Sequence, residues 1–547
     1  MDSIKSFKGY GKVDEAEERA FKQKTRRRLI ILVISIIVLL AVIIGAVAGT
    51  LIHKRNNSSS DNVPPTDLTP AASLKAVCGV TEYPLSCYSS ISPIASSNAT
   101  DPEILFKLSL KVVIDELAKL SQYPKKLQAE TDDAQVKHAL DVCGSLFDDA
   151  LDRLNDSATS LEVGDGESIL SDSKINDLKT WLSTTITDQD TCLDSLEELN
   201  TTEHFNATLV QELRAAMQNS SEFASNSLAI VAKILGLLAD FNIPIHRRLL
   251  GFASSEFPAW IHPTERRLLQ ESKPTPNVIV AQDGSGHFKT INEAVKLIGK
   301  KNESRFVIYV KEGKYVENVI LDKHKWNVMI YGDGKTKTII SGSKNFVDGT
   351  PTFDTATFAV AGRGFIAKDI GFENTAGAAK HQAVAMRSQS DRSVFYRCSF
   401  DAYQDTLYAH SNRQFYKECD ILGTIDFIFG NAAVVFQSCN IMPRQPLPNQ
   451  FNTITAQGKK DPNQTLAFQS KVYNICIRQP YCQYLPCTIF YAEYQNTGPG
   501  STVDKRVKWP GYKSTLSEAD AGKFTVATFI QGHDWLPDAS VSYEPAL

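Results

Sequence analysis

The chain has 547 residues, enough for two or three domains with substantial cores. Apolar residues make up 42% and charged ones 22%, an ordinary globular balance that excludes a wholly disordered chain. The net charge of −4 divides unevenly: residues 1–269 carry 27 Lys+Arg against 36 Asp+Glu, residues 270–547 carry 31 against 26. The mildly cationic second half suits an anionic polymer or surface, and no nucleic-acid partner is expected.

Residues 1–28 read as a cytosolic tail. Residues 29–52 (LIILVISIIVLLAVIIGAVAGTLI) hold 24 positions without a charge, long enough to span a bilayer as one helix. Lys22, Lys24, Arg26, Arg27 and Arg28 precede the run, so the positive-inside rule places everything after His53 outside. The expectation is an uncleaved type II signal anchor, with cleavage after Ala48 or Gly49 as the alternative. Residues 53–72 are rich in Ser, Asn and Pro and read as a linker. Sequons at Asn98, Asn155, Asn200, Asn206, Asn219 and Asn302 mark candidate glycosylated surface.

Residues 73–242 read as an all-α domain. Apolar residues recur at three- and four-residue steps over 104–120, 134–154, 175–196 and 223–238, the pattern of a four-helix bundle. Outside the cytosol its four cysteines imply two disulfides, Cys78–Cys87 closing a local hairpin and Cys143–Cys192 tying two helices. His138 and His204 lack metal-ligand spacing. Residues 243–273 lose all periodicity and carry RRLL twice, at 247–250 and 266–269, the look of an exposed processing linker.

From residue 274 onward the pattern turns to β. VIVAQDGSGHFKTINEAVKLI predicts a strand, a glycine-rich turn and one amphipathic helix that caps a solenoid. GSGHF lacks the lysine-threonine ending of a phosphate loop. Short strands then recur at a step near twenty residues: FYRC ends at Cys398, FYKEC at Cys419, and VFQSC at Cys439. Gln382 and Gln404 stand 22 residues apart, and Asp405 and Asp426 stand 21 apart. In a right-handed parallel β-helix, positions one repeat apart stack at about 5 Å, which would gather these four side chains on one wall. The same stacking puts Cys398 and Cys419 within reach of a disulfide, leaving Cys439 as a free thiol.

GKYVE at 313–317, QAVAM at 382–386, QDTL at 404–407, DFIFG at 426–430, NTGPG at 496–500 and KWPGY at 508–512 resemble, in order, the plant-type pectin methylesterases that carry an inhibitor-like prodomain. The helical part, with TCLD at 191–194, resembles the inhibitor domain, and RRLL matches the family's processing site for a subtilisin-like protease. The resemblance implies a secreted cell-wall enzyme that hydrolyses methyl esters of homogalacturonan without a metal or cofactor, held in check by its own prodomain. It implies that Asp426 is the nucleophile and Asp405 the proton donor and acceptor. Gln404 and Gln382 would stabilise the oxyanion, and Gln382, Thr352 and Phe427 would touch the sugar. For Phe427 a place in the solenoid core is the equal alternative.

One departure stands out. Between DPNQ (461–464) and TIFYAEYQ (488–495) the family has a longer segment with an LGRPW motif, whose arginine holds the nucleophile and whose tryptophan packs on the sugar. No GRPW occurs in this chain, and the shortfall amounts to roughly two coils. The replacing stretch has no recognisable coil pattern, and Cys476, Cys482 and Cys487 in it are poorly spaced for zinc. Without the arginine the Asp426 pKa should rise and its orientation loosen, so reduced or absent turnover is expected. Two other functions fit paired carboxylates on a β-helix less well. A pectin glycosidase or lyase would yield new reducing ends instead of methanol. A catalytically dead wall-binding or esterase-inhibitor protein would act through the helical domain alone.

Overall fold

The computed structural model describes residues 69–96, 99–162, 171–201, 206–236, 274–465, 467–471, 491, 492, 494, 512–539 and 543–546. Residues 1–68 and the linker 237–273, with both RRLL sequences, lie outside them, as do Cys476, Cys482 and Cys487. Among the described residues no helix is long and apolar enough to cross a membrane; the expected span at 29–52 is not among them.

The helical domain runs α1 (Pro70–Cys78), α2 (Pro84–Ile91), α3 (Pro102–Leu120), α4 (Tyr123–Ala129), α5 (Ala134–Ser160), α6 (Asp172–Glu197) and α7 (Ala207–Ile230). Capping residues set most of the starts: Thr69, Asp101, Asp133, Ser171 and Asn206 each accept a hydrogen bond from a first-turn N–H. The Asn206 cap starts α7 sixteen residues before the expected 223, since Leu209, Val210, Leu213 and Met217 already form a buried stripe. Cys78–Cys87 and Cys143–Cys192 are disulfide-bonded.

The second domain is a parallel solenoid of three sheets. Sheet I has eight strands, sheets II and III six each. One coil shows the pattern: Ser399–Asp401 lies in sheet II, Leu407–Ala409 in sheet III, Arg413–Lys417 in sheet I, and Asp420–Gly423 begins the next coil in sheet II. The bends from sheet I to sheet II are made by one left-handed residue per coil, at Asp369, Arg397, Glu418 and Ser438. Aromatic rings stack up the interior, with Phe395 on Tyr416 at 4.5 Å and Tyr416 on Phe436 at 4.9 Å. The entrance is closed by the helix α8 (Ile291–Val295), whose Thr290 and Glu293 form a capping box. A strand at Ala467–Lys471 continues sheet I in register with Ala433–Gln437, so the unpatterned stretch after Gln464 does add one rung. At the far side, Val526, Ile530, Trp535 and Leu536 pack on the outer face of sheet I.

The predicted Cys398–Cys419 bridge is absent: Cys398, Cys419 and Cys439 are buried free thiols. They follow the left-handed residues of three successive coils and stack in register. Parallel side chains one rung apart keep their Cβ atoms near the strand spacing of about 4.8 Å, wider than the roughly 3.8 Å a disulfide prefers. Their Sγ atoms approach backbone carbonyls instead, Cys419 to that of Phe395 at 3.4 Å.

Candidate active site

The four expected side chains lie in the bends between sheets II and III. Asp405 and Asp426 each stand two residues before Leu407 and Ile428, which are partners across adjoining strands. Both aspartates are left-handed, with φ of 64° and 48°, a conformation that Asp tolerates better than most residues. The Asp405 N–H donates to the Ile425 carbonyl at 3.0 Å, locking one bend onto the next. Gln382 pairs directly with Gln404. Met386 pairs with Leu407, so the Gln382 side of the bend has one residue more, which accounts for spacings of 22 and 21. Gln382, Gln404, Asp405 and Asp426 therefore occupy successive rungs of one wall.

The carboxyls differ electrostatically. Asp405 is almost fully buried, and burial, the neighbouring Asp426 and then Glu198 push its pKa well above the ordinary carboxylate range. Asp426 is half-buried; burial raises its pKa too, while a hydrogen bond from the Thr453 hydroxyl works in the opposite direction. No cation is among the described groups that act on Asp426. The pair thus suits one protonated and one ionised carboxyl.

Phe427 is in the core: it is fully buried among the solenoid's apolar side chains, so the expected sugar contact is corrected. Gly423 makes room for it, because a Cβ there would lie 2.2 Å from that of Phe427. The accessible aromatics are instead Tyr408 and Phe429, stacked at 4.0 Å on the outer side of sheet III. Each follows an aspartate by three positions, Asp405 and Asp426, and this repeated Asp-x-x-aromatic spacing was the signal for them. Thr352 opens a short 3-10 turn, Thr352–Asp354, beside this wall and is buried.

The helical domain covers the same wall. Phe353 enters the apolar cluster of the helices, with Tyr408 packed against it. Thr191 on α6 bonds His410 Nε2 at 2.9 Å, and Thr184 donates to Asn412 Oδ1 at 2.9 Å. Asp177 pairs with Arg413 at 2.7 Å and Arg392 at 3.1 Å, and His138 pairs with Asp354 at 3.0 Å. From the turn after α6, Glu198 Oε2 accepts the Thr352 backbone N–H at 3.1 Å. Sequence offered no sign of Glu198, which reads as one more acidic residue at a helix end.

Two family models match the chain: "Plant invertase/pectin methylesterase inhibitor" over residues 72–230, and "Pectinesterase" over 277–485 and 481–533. Pectinesterase 3 of Phaseolus vulgaris is 60% identical, with 100% of both chains covered. The chain belongs to the pectinesterase family. Pectinesterase 1 of Arabidopsis thaliana is also 60% identical, over 99% of each chain. Among solved structures, pectin methylesterase from carrot is 44% identical over 51% of this pectinesterase and 100% of its own chain, with a TM-score of 0.47. The alignment to the Phaseolus protein spans 592 positions against 547 residues here, so about 45 positions have no counterpart in this pectinesterase. That is close to two coils, and the family match divides near 481–485.

Proposed function

We propose that this pectinesterase hydrolyses the methyl esters of homogalacturonan through Asp426 and Asp405. The observation that carries the reading is the pair of aspartates in matching left-handed bends of adjoining coils, with Asp405 held protonated by burial beside Asp426. An Asp426 carboxylate oxygen attacks the C6 carbonyl carbon, and the carbonyl oxygen takes up the negative charge. The amide N–H groups of Gln382 and Gln404 stabilise that oxyanion. On collapse the bond to the methoxy oxygen breaks, and Asp405 gives its proton to the departing methanol. An acyl-enzyme anhydride remains. Asp405, now a carboxylate, takes a proton from water as that water attacks, which releases the galacturonate and restores Asp426. Thr352 and the Tyr408–Phe429 pair flank the sugar.

The net positive second half suits an acidic polymer. The uncharged run at 29–52 and the two RRLL sequences support an anchored precursor of the secretory pathway, cut by a subtilisin-like protease on its way to the wall, with the sequons glycosylated. Methanol release from methyl-esterified homogalacturonan tests the chemistry, and new reducing ends in its place would refute it. A catalytically silent reading also has a specific support, the absent GRPW motif and the roughly 45 unmatched positions. In that case the helical domain would remain a binding module, and methanol release would stay at background.

A further inference from the structure

Glu198 is a helical-domain residue bonded to the solenoid. It opens the 3-10 turn Glu198–Thr201 after α6 and turns away from the helical core towards the solenoid. Its carboxylate oxygen accepts the N–H of Thr352 at 3.1 Å, and its charge is one of those that raise the Asp405 pKa. Phe353, next to that N–H, is clamped in the apolar cluster of the helices, with the Arg387 guanidinium carbon 3.3 Å from its ring centroid. A carboxyl group of the helical domain is therefore held at the wall by a backbone donor next in sequence to Phe353. The polymer repeats the same chemical group, a carboxyl on a short carbon stem, on every unesterified sugar.

We infer that Glu198 is a built-in surrogate for a uronate: the Thr352 N–H forms a carboxylate subsite that takes an unesterified galacturonate, and the helical domain blocks it with its own carboxyl. The inference rests on the reading of the wall as a pectin site. It differs from steric cover alone, since it assigns ligand class and donor to one subsite and blockage to one side chain. Burial pushes the Glu198 pKa up to about 7, with the Thr352 N–H and hydroxyl working against it, as for a carboxyl enclosed near other acids.

The test uses the full chain and three variants, with trigalacturonic acid and its fully methyl-esterified form as probes in calorimetry. Glu198→Ala should bind the acid trimer at least tenfold more tightly than the parent. Glu198→Gln, which keeps an acceptor for the Thr352 N–H, should stay within about twofold. Asp177→Ala removes one partner of Arg392 and of Arg413 at the same interface, where Arg413 keeps Asp391, without touching the subsite. An equal gain from Asp177→Ala would mean that any loosening opens the wall, and would overturn the proposal. So would no gain from Glu198→Ala, or a gain shared equally by the esterified trimer. Circular dichroism melts close to the parent's establish that each variant is folded. Methanol release, followed in parallel, separates the two readings: tighter acid-trimer binding supports the subsite whether or not methanol appears, since the helical domain still covers the wall in the full chain. Methanol without that gain refutes the subsite alone.

Discussion

Asp405 and Asp426 share a side chain and a backbone conformation, and enclosure sets their protonation apart. The more buried Asp405 keeps its proton; the half-buried Asp426 has a hydroxyl donor in Thr453 to favour its ionised form. On the proposed mechanism Asp426→Asn removes the nucleophile and should reduce methanol release to background. Asp405→Asn should cost about 10²–10⁴-fold, the usual worth of a placed general acid. Gln404→Leu, losing one oxyanion donor, should cost about 3 kcal/mol of barrier, close to a hundredfold in kcat with KM little changed. Initial-rate methanol assays on the three variants check these figures. All four side chains were legible beforehand because recurrence at 21 and 22 residues fixes which positions meet once the chain winds. What the spacing could not convey was direction within a bend. Phe427 and Phe429 sit in one motif, yet only the fold shows that Phe427 turns inward under Gly423.

At the scale of elements, the coil is held by side chains that recur in register. Phe427→Ala removes a fully buried ring and should cost about 3–5 kcal/mol of stability. Phe429→Ala opens no core cavity and should leave the melting temperature nearly unchanged while raising KM. Thermal melts paired with steady-state kinetics separate the two. The thiol ladder marks a limit of repeat reasoning: spacing put Cys398 and Cys419 one rung apart, but not how parallel Cβ atoms face each other. The helix starts were more legible where a capping residue preceded an apolar stripe; α7 was read late because NSSE breaks its stripe near the middle.

For the whole molecule, the contact between the two domains was invisible in the sequence, since neither docking surface carries a period of its own. It should depend on pH. Glu198 has a higher pKa docked than free, so docking takes up a proton and weakens as pH rises from the ordinary glutamate range towards 7. The full effect is on the order of 3 kcal/mol. The His138 pKa is raised by its bond to Asp354, so that pair supports docking fully below the ordinary histidine range and is lost as pH climbs through the raised value. The Asp354 pKa is lowered, so the pair gives way on the acid side only below the ordinary aspartate range. Both groups favour docking at mildly acid pH. Hydrogen exchange of the Thr352–Asp354 turn, corrected for intrinsic rates, should be slower at pH 5 than at pH 8; equal protection would contradict the prediction.

The face that α6 turns to the solenoid carries a row of hydroxyls alongside its acidic residues Asp177 and Asp190. Thr184, Thr187 and Thr191 each bond the carbonyl one turn back in their own helix while reaching across to the other domain. Such a surface keeps internal partners when wetted, and among the described residues the apolar part of the contact is confined to Phe353 and Tyr408. Separation should therefore respond to added salt through the pairs of Asp177 with Arg392 and Arg413, a latch of charges over a seam that tolerates rain.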